Sequence, residues 1–166
     1  FKFTQPPAVA TYKDQNKLYQ YLFGCHGLGE AFIWNVGGIE RLNDFWFLLG
    51  PGHYYGITQC EQCPFNVNWM SQLLRDQCLP VSTLVGIREL SDNPHFNGRF
   101  YAQSALLIYL LLKDPRYAEK FEKARAEIFK SGHPSQVLKK HFDLKELDAS
   151  MRALLESGQP IPEAAK

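Results

Sequence analysis

Apolar residues recur along most of the chain at steps of three and four, the spacing that lines one face of a helix. From Asp14, an N-cap residue type, the series Leu18, Leu22, Cys25, Gly29 and Ile33 predicts a helix to Trp34, ended by Gly37 and Gly38. Leu42, Phe45, Trp46 and Leu49 predict a short buried helix over 40–49, stopped by Gly50, Pro51 and Gly52. A helix over 67–77 and a helical turn after Pro80 come next, and 91–98 reads as a loop.

Beyond residue 100 the pattern is stronger. Phe100 to Lys113 is apolar around most of its circumference, as a central helix buried by its neighbours should be. Asp114-Pro115 then opens a surface helix whose inward stripe is Tyr117, Phe121, Ala124 and Ile128, ending at Ser131-Gly132. Two further helices are predicted, Pro134 to Phe142 and Leu144 to Glu156, the latter turning Leu147, Met151, Leu154 and Leu155 inward before Gly158.

The expected fold is therefore mainly α, a compact bundle of about six to seven helices. Residues 1–13, with Pro6 and Pro7, are expected to form an extended arm or one minor edge strand, 14–158 the single helical domain, and 159–166 a flexible tail. A chain of 166 residues can bury a core of its own, and 45% apolar with 21% charged residues is the balance of a folded globular domain.

Charge narrows the partners. Eighteen basic and 17 acidic residues are interspersed, leaving a net charge of +1 and no basic footprint for nucleic acid or an anionic membrane. The longest apolar run, Ala105 to Leu112, is far short of the roughly 20 residues of a membrane span. The first residues carry no signal-peptide pattern. The chain is expected to be soluble, its compartment left open; disulfide-bonded cysteines would point to a secreted or periplasmic setting.

Candidate chemistry starts at Cys25-His26-Gly27-Leu28-Gly29-Glu30, where helical geometry sets His26 and Glu30 four residues apart on one face, the spacing of metal ligands. A histidine at a helix edge has a plain structural role as well. Asp44 opens the next predicted helix and is either a further carboxylate for a metal or a helix cap. Cys60 and Cys63 form a lone CxxC. With Cys25 and Cys78 it allows structural disulfides, free thiols, half of a zinc site or a redox pair. His53, His95, His133 and His141 fall near predicted loops or helix ends and read as surface residues.

Three stretches carry a family resemblance: His26 to Glu30, Arg41-Leu42-Asn43-Asp44, and Phe100-Tyr101-Ala102-Gln103-Ser104 with the apolar helix after it. In this order the chain resembles the bacterial gluzincin-like zinc metallopeptidase domains, the peptidase-MA-like group and its relatives of unknown function. Their pattern runs His-Glu-x-x-His, Trp-Leu-Asn-Glu-Gly, then Phe-Tyr-Ala-Gln-Ser. The similarity spans Lys17 to Leu155, and its later half is the more specific.

The resemblance implies a site at His26, Gly27, Glu30, Asp44 and Tyr101, and this sequence departs from it where the chemistry lies. Gly27 stands where the general base should be, Glu30 replaces the second histidine, and Asp44 replaces the ligand glutamate and is one methylene shorter. Glycine cannot take a proton from metal-bound water. The resemblance places Tyr101 near a transition-state oxyanion; on a core helix the same ring is also ordinary packing.

The expectation is a non-catalytic, metallopeptidase-like pseudoenzyme domain that holds a peptide or protein in the former cleft, floored by Phe32, Trp34, Phe45 and Trp46, with no cofactor. The alternative is an active metal-dependent hydrolase with zinc on His26, Glu30 and Asp44 and a base from Glu40 or Glu61. A third reading is a helical structural or interaction domain without any relic site.

Overall fold

A computed structural model describes residues 44–58, 70–71, 74 and 76–162. Among them the chain is mainly helical, with six helices and no strand: α1 (Phe45–Thr58), α2 (Val81–Leu84), α3 (Pro94–Lys113), α4 (Pro115–Ser131), α5 (Pro134–His141) and α6 (Leu144–Ser157). The predicted arm, the helix over 14–34 and most of the helix over 67–77 lie outside the described residues; Met70, Ser71 and Leu74 of the latter are helical and buried. No described helix is long and apolar enough to cross a membrane.

Helix α3 is the hub, as its all-round apolarity requires. Every residue from Ala102 to Leu111 is buried, and α1, α2, α4 and α6 all pack on it. Its start differs from the expected Phe100. Asn93 caps it, the side-chain oxygen accepting from the His95 amide at 2.9 Å, and Pro94 occupies the first turn, where its missing N–H costs nothing. The stretch read as a loop is thus largely the first turns of α3.

Helix α1 departs further from expectation. It runs straight through Gly50, Pro51 and Gly52 to Thr58. The reason is contact with α3: a Cβ on Gly50 would stand 2.9 Å from the Ser104 carbonyl oxygen and 3.1 Å from Ile108 Cγ1. Gly50 allows the two backbones to approach, a role unrelated to chain termination. Pro51 removes one helical donor, a local cost that the burial of Trp46, Phe47, Leu49 and Tyr54 around it offsets.

The later helices keep their predicted limits to within a residue. Asp114 and Asp143 cap α4 and α6 by accepting from the amides of Arg116 and Lys145 at 2.9 and 2.8 Å. Gly132 and Gly158, at φ 72° and 61°, close those helices in the left-handed region that favours glycine. The predicted stripes are buried as expected, Tyr117, Phe121, Ala124 and Ile128 on α4 and Leu147, Met151, Leu154 and Leu155 on α6.

Candidate functional site

Asp44 sits just before α1, its carbonyl accepting from Phe47 N at 3.0 Å and Leu48 N at 3.1 Å to start the helix. Its carboxylate turns away from α1 into the core, where the side chain is only 5% exposed. One oxygen pairs with the Arg88 guanidinium, and the other accepts from the Ser135 amide in the first turn of α5 at 2.6 Å. A helix N-terminus presents unpaired amides and a partial positive charge, so both partners favour the ionised carboxylate.

Ser135 extends the cluster. Its hydroxyl donates to the Val85 carbonyl at 2.6 Å and accepts from Trp46 Nε1 at 2.9 Å. Trp46 is fully buried, so its indole N–H needs this partner, and the ring lies within the core rather than on the floor of an open cleft. Asp44, Arg88, Ser135, Trp46 and Val85 thus form one connected polar cluster joining α1, the turn after α2, and α5.

His26, Gly27 and Glu30 lie outside the described residues, as do Phe32, Trp34, Glu40 and Glu61. Among the described residues no group of three His, Cys, Asp or Glu side chains stands close enough to hold a metal ion. The surroundings of Asp44 do not fit a metal ligand either. The Arg88 guanidinium on one oxygen repels a dication, and the short bond from Ser135 orients the other oxygen toward α5. The resemblance implies a ligand role for Asp44; in the structure its carboxylate is engaged by Arg88 and by the Ser135 amide.

Tyr101 projects from the second turn of α3 and is half-buried. Its ring packs on His53 of α1 with centroids 4.7 Å apart and planes tilted by 31°. His53, expected near a loop, is an interior position of α1 because that helix continues past Gly52. The other three histidines are closer to expectation. His95 and His133 are exposed, and His141 in the last turn of α5 meets Glu127 at 2.7 Å.

Of the four cysteines only Cys78 is described, and it is a free thiol. Burial pushes its pKa up to about 11, against the lowering effect of nearby Arg152, so at neutral pH the thiol is a poor nucleophile. The peptide after it is held by a buried amide: Gln103 donates to the Leu79 carbonyl at 2.5 Å and accepts from the Leu79 amide at 3.0 Å.

Sequence reasoning singled out Asp44 but missed Arg88 and Ser135, its two partners. No local signal marks a pair separated by 91 residues. Comparison of the chain with family models, with curated proteins and with solved structures found no match.

Proposed function

We propose that this chain is a non-catalytic, metallopeptidase-like domain that binds a peptide or protein where related peptidases hold their substrates. The observation that carries the reading is the engagement of the Asp44 carboxylate by Arg88 and by the Ser135 amide. A carboxylate so held serves the packing of α1 against α5. Gly27 at the general-base position supports the same reading, since no side chain there can accept a proton. The resemblance sets Tyr101, half-buried on α3 beside His53, in the same former cleft.

Two measurements test it. Incubated with zinc and a mixture of unstructured peptides, the purified chain should generate no new termini by mass spectrometry. Zinc-dependent cleavage abolished by His26→Ala would overturn the non-catalytic half. On an array of short peptides the wild-type chain should retain a subset that Tyr101→Ala holds more weakly. If no peptide is retained by the wild-type chain, the binding half is lost.

A further inference from the structure

We infer that α3 carries a peptide seat at Tyr109, filled in this structure by the chain's own Gln159-Pro160-Ile161-Pro162, and that its ligand class is an extended, proline-flanked segment presenting one branched aliphatic side chain. The seat is separate from the former cleft proposed around Tyr101, and the inference stands or falls apart from that reading.

The segment begins where α6 ends. Gly158, at φ 61°, closes the helix, its amide donating to the Leu154 carbonyl at 3.1 Å. Residues 159–162 lie outside any helix or strand. A proline fixes its own φ and biases the residue before it toward extended backbone, so Pro160 and Pro162 restrict Gln159 and Ile161 in turn. Such a segment is stiff before it docks and loses little conformational freedom on docking.

Both of its backbone donors are used. The Gln159 amide donates to Ser157 Oγ at 3.2 Å, a local turn, and the Ile161 amide donates to the Tyr109 hydroxyl at 2.9 Å, 52 residues away. The Ile161 side chain is half-buried against the core, while Gln159, Pro160 and Pro162 are exposed. The seat therefore reads one amide and one side chain, and the prolines present them. On the receiving side Tyr109 is 7% exposed on the hub helix, and Tyr54 of α1 stands beside it with ring centroids 6.2 Å apart. An aromatic surface with a polar tip, held on packed helices, is the chemistry that takes extended proline-flanked peptides. The docked contact is small, one hydrogen bond and part of one side chain, so the same pattern supplied in trans competes with the tethered copy, whose effective concentration is on the order of millimolar.

In the full chain, Ile161→Asp empties the seat, because a carboxylate resists burial, and it leaves the helices untouched because it lies beyond α6. The probe is the synthetic peptide Ser-Gly-Gln-Pro-Ile-Pro-Glu, the sequence of residues 157–163, titrated while protein resonances are followed by NMR. Ile161→Asp should bind it, and wild type, with the seat filled in cis about nine-tenths of the time, should bind roughly tenfold more weakly. Adding Tyr109→Phe, which removes the hydroxyl and keeps the ring, should weaken binding to the emptied seat several-fold. A folded Ile161→Asp chain that ignores the peptide, or binds it no better than wild type, overturns the inference. A second measurement needs no emptied seat: in wild type the Ile161 amide should exchange with solvent more slowly than in the free peptide, and Tyr109→Phe should abolish the difference. Exchange at the free-peptide rate in wild type overturns the inference as well.

Discussion

Helices α4, α5 and α6 succeed one another through joints of two residues, and their ends carry local chemistry: a proline in the first turn of α4 and α5, an aspartate cap before α4 and α6, and a left-handed glycine after each of those two. Helix α1 has neither an acidic first turn nor a basic last turn, carries a proline inside, is held against α3 by buried surface and is tied to α5 by the polar cluster at its start. In the first region the backbone rules and the packing agree. In the second, packing overrides them. The same residue types mean different things in each: Gly132 ends a helix, whereas Gly50 brings two helices together.

The largest test of this contrast is Trp46→Ala. It removes a fully buried ring and leaves the Ser135 hydroxyl without its donor, so a loss of about 3–5 kcal/mol is expected in urea unfolding. A loss below about 1 kcal/mol, the size of an ordinary cap, would break the claim that α1 lives by packing.

A pair of glycine substitutions sharpens it. Gly50→Ala should destabilise by about 1–3 kcal/mol, because its Cβ meets backbone of α3 at 2.9 Å and a carbonyl cannot move aside as a side chain can. Gly98 lies in the first half of α3 with nothing within 4 Å of an added Cβ. There Gly98→Ala should stabilise by about 0.5–1 kcal/mol through helix propensity alone. Equal signs at the two positions would refute the distinction between them.

The caps are expected to contribute less than Trp46 or the close approach at Gly50. Asp114→Ala should cost about 0.5–2 kcal/mol at neutral pH. The bonds from the Arg116 side chain and amide hold the Asp114 carboxyl below the usual carboxylate range, outweighing burial. A carboxyl depressed in the folded chain contributes stability that is present above its unfolded pKa, near 4, and lost as pH falls through the folded value. Urea midpoints measured from pH 5 downward should therefore fall more steeply for wild type than for Asp114→Asn, and parallel curves would show the cap to be worth little.

This contrast also explains what could be read from the chain alone. Tyr117, Phe121, Ala124 and Ile128 announce their burial because α4 is amphipathic, and Asp114-Pro115 and Gly132 announce its ends. The signal for the true start of α3, Asn93-Pro94, was present but was outweighed by the polar run after it. Gly50-Pro51-Gly52 misled because its meaning depends on Ser104 and Ile108, more than fifty residues away. Of the candidate site, Asp44 and Tyr101 could be named from their neighbours in sequence. The partners that decide what Asp44 does are set by tertiary packing, and helical periodicity is silent about them.

The bond between the Ser135 amide and Asp44 spans 91 residues. During synthesis the carboxylate leaves the ribosome long before the turn that is to receive it, and Arg88 emerges roughly halfway between them. Domains are built vectorially at rates of about 5–20 residues per second, so Asp44 waits several seconds for α5. Arg88 is available for most of the second half of that wait. The nascent chain can thus neutralise this carboxylate before the helix that completes its burial exists, and α1 need not enter the core carrying an unmatched charge.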